Sequence, residues 1–129
     1  MKIRKFEDLE CWQEARRLVV TIYDTAKRVS FSKDYNLKEQ IIGAAISIMA
    51  NIAEGFDSQS NIEFVRFLRY SRRSVSEVQN CLYIALDQNY IPQQTLDAIN
   101  KQCDKVRQII DGLIRYLRNR KTSGTSQTS

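Results

Sequence analysis

Apolar residues recur every three or four positions along most of this chain, the spacing of amphipathic helices. Cys11, Ala15, Leu18, Ile22, Ala26 and Val29 form one stripe of a first helix read over about Glu7 to Val29, and Trp12, Val19 and Tyr23 form a second stripe beside it. Ser30 to Asn36 breaks the pattern and reads as a loop. A second helix is expected from about Leu37 to Glu54, closed by Gly55 as the C′ residue, because glycine takes a left-handed cap without steric cost. This helix carries two apolar stripes: Leu37, Ile41, Ala44 or Ala45, Ile48 and Ile52, and then Ile42, Ala45, Ile46, Met49 and Ala53. A helix apolar on more than half its circumference needs cover on two sides. It is therefore either the most central helix of its domain or part of a subunit interface.

Ser60-Asn-Ile-Glu63 has the form of a capping box and opens a third helix that runs to about Gln88. Asn89 to Pro92 is the next break, with Pro92 suited to the first position of a fourth helix. There Leu96, Ile99, Cys103, Val106, Ile110, Leu113 and Leu117 alternate steps of three and four, a heptad-like seam. From Lys121 the tail has nothing to bury, so residues 121–129 are expected to be disordered. Short connections make neighbouring helices antiparallel. The expected fold over residues 1–120 is thus all-α, an antiparallel up-down-up-down four-helix bundle in one domain.

Composition narrows the chemistry. The 129 residues are 43% hydrophobic and 27% charged with four Gly and one Pro, which suits long helices and argues against an all-β fold. Histidine is absent, which removes Ser-His-Asp and Cys-His nucleophilic sites and His-containing zinc sites together. Cys11, Cys81 and Cys103 are far apart and make no C-x-x-C pair, so each reads as a small buried hydrophobe in a reducing compartment. The N-terminus lacks the apolar core of a signal peptide, and Ile41 to Ala53 is too short to span a bilayer. These features point to a cytoplasmic protein without a membrane role, a cofactor or an enzymatic activity.

Ser47, Asn51 and Glu54 lie at steps of four and three and put a polar stripe into the otherwise apolar second helix. Glu54 falls in the last turn, where the helix dipole disfavours a carboxylate. The structural reading has Asn51 satisfying backbone or side chains and Glu54 paired with an arginine of the third helix. The alternative is a ligand or metal site using Glu54 and Glu77. Ser74 and Glu77 form a second polar pair flanked by Arg72 and Arg73, with Glu77 one turn from Arg73 and placed for an intrahelical ion pair.

The net charge is +5, from 20 Lys and Arg against 15 Asp and Glu, and the excess gathers on the third and fourth helices. Arg66, Arg69 and Arg73 fall on one face with Tyr70 close by, and Arg115 and Arg118 continue the basic character on the fourth helix. A basic face beside an aromatic is a means of gripping phosphates and stacking on bases without a dedicated motif. These five arginines are the candidate contacts to RNA or DNA. The competing reading is a protein-binding scaffold.

Phe6 to Ala15 together with Tyr23, the stretch Gln40 to Gly55 ending Ser47-Ile-x-x-Asn-Ile-Ala-Glu-Gly55, Phe64 to Leu68, Ser74-x-x-Glu77 and the Asn89-Tyr-Ile91 break resemble the four-helix bundle proteins encoded in 23S ribosomal RNA intervening sequences. The resemblance covers about Phe6 to Leu117. That family is similar in fold to the accessory variability determinant of diversity-generating retroelements, basic homopentamers that engage nucleic acid and a reverse transcriptase. The resemblance implies a left-handed bundle, a homo-oligomer that is a pentamer, and a role facing nucleic acid or a protein partner such as a reverse transcriptase. It implies structural or interface roles for Trp12, Ser47, Asn51, Glu54, Gly55, Ser74 and Glu77. The chain departs from the family pattern at Ile42-Gly43, where two arginines are common, and at Ser32, where a proline is usual. The basic contacts are therefore expected on the third and fourth helices.

Overall fold

The computed structural model of the chain describes residues 3–120. Among the described residues every regular element is helical and none is a strand. A 3₁₀ turn (Phe6–Asp8) leads into α1 (Glu10–Ala26), α2 (Val29–Lys33), α3 (Tyr35–Asp57), α4 (Asn61–Asp87) and α5 (Gln93–Thr128, described as far as Arg120). The disordered tail expected over 121–129 lies outside the described residues.

The first helix ends at Ala26, a turn earlier than its apolar stripe suggests, and Val29 belongs to α2 and is exposed. The expected loop from Ser30 to Asn36 is mostly helical. Its organising residue is Phe31, which is fully buried and stacks on Tyr90 with ring centroids 5.5 Å apart. Asp34 then serves two elements at once. One carboxylate oxygen accepts from the Leu37 backbone N–H at 3.1 Å and caps α3, and the other accepts from the Tyr90 hydroxyl at 2.9 Å. An N-cap carboxylate satisfies a backbone donor that the first turn otherwise leaves open.

Gly55 is not a cap. The helix continues to Asp57, no glycine among the described residues has positive φ, and the left-handed positions are Gln59 and Asn89, at φ 57° and 62°. Gly55 is needed for closeness instead. A Cβ there would stand 2.8 Å from Phe67 Cβ, 2.9 Å from Phe64 Cδ1 and 3.3 Å from the Phe64 carbonyl oxygen. The capping box at Ser60 is half formed: the Ser60 hydroxyl accepts from the Glu63 N–H at 3.3 Å, while the Glu63 carboxylate turns to Arg66. Pro92 sits at the N-cap of α5, where its carbonyl accepts the first helical bond from Leu96 at 3.2 Å.

The long helices pack side by side, α3 on α4, α4 on α5, α5 on α1 and α1 on α3, closing a ring of neighbours. Partner residues fix their directions. Gly55 lies against Phe64 and Phe67, and further along the Ile48 carbonyl accepts from the Ser71 hydroxyl at 2.8 Å, so α3 and α4 run antiparallel along a closely packed seam. Arg72 pairs with Asp111 at 2.7 Å, the Arg107 guanidinium donates to Gln79 at 2.6 Å and to Ser76 at 3.2 Å, and Gln79 donates to Asp104 at 3.2 Å. Those contacts make α4 and α5 antiparallel as well, along a seam edged with charge. Lys105 reaches Glu14 at 3.3 Å and Arg28 reaches Thr95 at 3.2 Å, which sets α1 antiparallel to α5.

The first stripes of α1 and α3 and the seam of α5 are the core apart from Val29 and Leu113, while the second stripes of α1 and α3 are half-buried or exposed except at Ala45, which both α3 stripes share. Cys11, Ala15, Leu18, Ile22 and Ala26, then Leu37, Ile41, Ile48 and Ile52, then Leu96, Ile99, Cys103, Val106 and Ile110 are all buried. At the end of α5 the buried residue is Ile114, while Leu113 is half-buried at the edge of the α1–α5 seam. A straight helix repeats every 3.6 residues, so a 3.5-residue seam drifts off the core after a few turns. All three cysteines are buried. Burial pushes the Cys11 and Cys103 thiols up to about 12 and raises Cys81 as well, so they remain protonated packing groups.

Candidate nucleic-acid interface

The arginine strip of α4 is exposed along its length: Arg66, Arg69 and Arg73 all face away from the core. The first two are three residues apart and Arg73 follows four later, so one face of the helix carries all three. Tyr70 lies between them, half-buried, and organises the cluster. Arg66 donates to the Tyr70 hydroxyl at 3.0 Å, and its guanidinium stands 5.6 Å from the Tyr70 ring centre and 5.2 Å from that of Phe67. The Arg73 guanidinium stands 5.4 Å from the same Tyr70 ring. Phe67 meets Tyr70 edge-on at 6.0 Å, which holds the ring in place. Two cations near one aromatic ring are each attracted by its quadrupole, and both keep their charge.

Arg66 is partly spent, since its Nε donates to Glu63 at 3.1 Å and that bond pushes its pKa further up. Arg69 and Arg73 form no ion pair among the described residues. Arg72, by contrast, is turned toward α5 by Asp111 and stands apart from the strip. The register set by that pair carries Arg115, one turn further along α5, level with Leu68 and Arg69, and Arg118 level with Val65 and Arg66. Both are exposed. The five arginines singled out from the sequence therefore share one end of the α4–α5 pair.

The polar residues of α3 behave differently from expectation. Asn51 is half-buried and its amide donates to the Ser47 carbonyl at 2.9 Å, a bond within its own helix. Glu54 is exposed and pairs with no arginine of α4, because Arg66 is held by Glu63, Arg73 lies over Tyr70, and the helix runs three residues past Glu54. Glu77 is exposed and does not pair with Arg73 for the same reason. Ser74 is buried in the α3–α4 half of the core. Trp12 is half-buried, tilted against Phe6 at 5.4 Å with the Arg16 guanidinium 5.7 Å above it. Among the described residues no group of three or more His, Cys, Asp or Glu is placed to hold a metal ion, and no helix is long and apolar enough to cross a membrane.

Two features escaped the sequence reading. Ser71 sits fully buried in the middle of α4 and is satisfied only through the Ile48 carbonyl across the seam. Arg107 is held half-buried between Ser76, Gln79 and Asp104 and is a structural cation, not a ligand contact. A serine within an apolar stripe, and an arginine one turn from an aspartate of its own helix with a serine and an amide in the opposing register, are the signals that could have pointed to them.

A protein of unknown function from the S23 ribosomal protein family of Bacteroides thetaiotaomicron is similar in structure, with a TM-score of 0.75 and 23% identity over 81% of this chain and 97% of that one. At that identity the likeness speaks for the fold. Among curated proteins there is no match. The family described as 23S rRNA-intervening sequence protein matches residues 7–112, most of the described helices. The chain belongs to that family.

Proposed function

We propose that this chain is the subunit of a non-enzymatic homo-oligomer, an up-down-up-down, left-handed four-helix bundle in each copy, that binds RNA or DNA weakly and without reading sequence. The observation that carries the reading is the Arg66–Tyr70–Arg73 cluster with Arg69 unpaired beside it and Arg115 and Arg118 level on α5. Guanidinium groups supply phosphate contacts, and the half-exposed Tyr70 ring beside them offers aromatic surface to a base. Among the described residues no groove-reading element accompanies it, so affinity comes from charge and rises with the number of copies.

Binding to a generic single strand and a generic duplex, measured across salt concentration, tests this. The expected result is a linear fall of log affinity with log salt, with a slope that loses about one unit for each of Arg69→Ala and Arg73→Ala. Absence of binding at low salt overturns the reading. So does a protein partner that is retained after nuclease treatment and after loss of both arginines.

A further inference from the structure

The turn between α3 and α4 borders a cavity of about 430 Å³ at the end of the bundle, beside the last described turn of α5 and the segment that enters α1. That volume is in the range of pockets that enclose a small ligand. The buried Phe64 and Leu117 line it from within, and the half-buried Phe56 meets Phe64 edge-on at 6.0 Å. The exposed Arg4, Asp57, Gln59 and Asn61 stand round its mouth. Among the described residues none of these four side chains has a hydrogen bond or an ion pair.

The turn that carries three of them is nevertheless fixed. The Ser58 hydroxyl donates to the Gly55 carbonyl at 2.6 Å and accepts from the Ser60 N–H at 3.4 Å, while the Ser60 hydroxyl caps α4. Gln59 holds φ at 57°, a conformation for which glycine or asparagine is better suited. Asp57 is the last residue of α3, where the helix dipole disfavours a carboxylate. An amide and a carboxylate therefore stand where neither makes a polar contact within the fold.

We infer that this cavity binds a purine nucleoside monophosphate, with guanosine 5′-monophosphate (GMP) the best fitted. Aromatic side chains give the flat base a surface to lie against. The Asp57 carboxylate accepts from the N1–H and amino group of guanine, two donors that no other standard base places side by side. The phosphate goes to Arg4, whose forked guanidinium suits it, with Arg120 on the same wall. A bare anion is a poorer ligand, because Asp57 repels it and the rings gain nothing. None of Arg66, Arg69, Arg73, Arg115 and Arg118 lines the cavity, so the site is separate from the arginine strip. The nucleotide arrives either free or as the 5′ end of a strand lying on that strip. Arg66, on α4, is five residues from Asn61, about 8 Å along the helix.

Titration calorimetry on the full chain tests this. GMP is expected to bind one to one per chain, more tightly than cytidine 5′-monophosphate, guanosine or inorganic phosphate. Arg4→Ala is expected to weaken GMP binding about tenfold, and Asp57→Asn to remove the preference over the cytidine nucleotide. Gln59→Gly relieves the left-handed position, so its Tm is expected to equal or exceed the parent's while GMP binds about fivefold more weakly. Loss of affinity without loss of fold then reports a lost contact. A strand beginning with guanosine, with and without a 5′-phosphate, separates the two sources. Tighter binding of the phosphorylated form, cancelled by GMP, assigns the site to strand ends, and no gain assigns it to the free nucleotide. Absence of GMP binding, equal binding of inorganic phosphate, or unchanged affinity in both Arg4→Ala and Gln59→Gly overturns the inference and leaves the arginine strip untouched.

Discussion

Two glycines on α3 predict opposite signs for the same substitution. Gly43→Ala places a methyl where no atom lies within 4 Å, so it meets only the helix preference for alanine. That preference stabilises by about 0.8–1 kcal/mol in a helix interior. Gly55→Ala gains the same preference but drives its Cβ to 2.8 Å from Phe67 Cβ and 3.3 Å from the Phe64 carbonyl oxygen. Neither of those atoms is the loose end of a side chain. The relief is a widening of the whole α3–α4 seam, and overpacking of a tight contact costs about 1–3 kcal/mol, more where backbone must move. Near the upper end of that range the net effect is a loss of about 1–2 kcal/mol, or several degrees in Tm for a chain of this size. Urea unfolding of all three proteins at one matched protein concentration keeps any contribution from self-association equal between them. A Gly55→Ala protein as stable as its parent, or a Gly43→Ala protein clearly less stable, would refute the argument that Gly55 is kept for interhelical closeness.

Further outcomes follow from buried groups. With two thiols held up to about 12, none of the three cysteines should react with a disulfide reagent at pH 8 in the native protein, and all three should react once it is unfolded. Their linkage runs in one direction: the unfolded thiols ionise from about pH 9, the native ones near 12, so stability is full below pH 9 and falls as the pH rises through that window. Tyr90 acts in the same sense, because its bond to Asp34 raises its pKa above 10, and Tyr90→Phe should remove the part of the alkaline loss that comes from this bond. Ser71→Ala, which deletes a buried hydrogen bond to α3, should cost about 1 kcal/mol by thermal unfolding, and an unchanged Tm would show that the bond contributes nothing.

The helical stripes were legible because helical period is a local property: Leu18 and Ile22, or Ile99 and Cys103, announce a common face without reference to anything else in the chain. What was hidden depends on residues far apart in sequence. Gly55 looks like a cap by its own nature, and only Phe64 and Phe67 across the seam make it an interior residue. Phe31 is one apolar residue in a polar stretch, too little for a period, and its place is set by Tyr90. Asp34 reads as a loop residue until Tyr90 and Leu37 share its two oxygens. The arginine strip was visible on a helical wheel, but not which members were already engaged. Arg72 faces the Asp111 carboxylate of α5, whereas Arg69 and Arg73 face none, and that division follows from the α4–α5 register.

The two edges of α4 are made of different stuff. Toward α3 it is sealed by a glycine under two phenylalanines and by one buried hydroxyl, none of which carries a charge for dissolved ions to screen. Toward α5 its outer border is laced by Arg72–Asp111 and by the Arg107 cluster, which salt screens. Ionic strength thus acts on the protein along a line and not throughout. It loosens the edge where α5 meets α4 while the α3–α4 pair stays shut. The arginines facing outward lie beside that same line, so the ions that compete with a bound polyanion also relax the wall that carries its contacts.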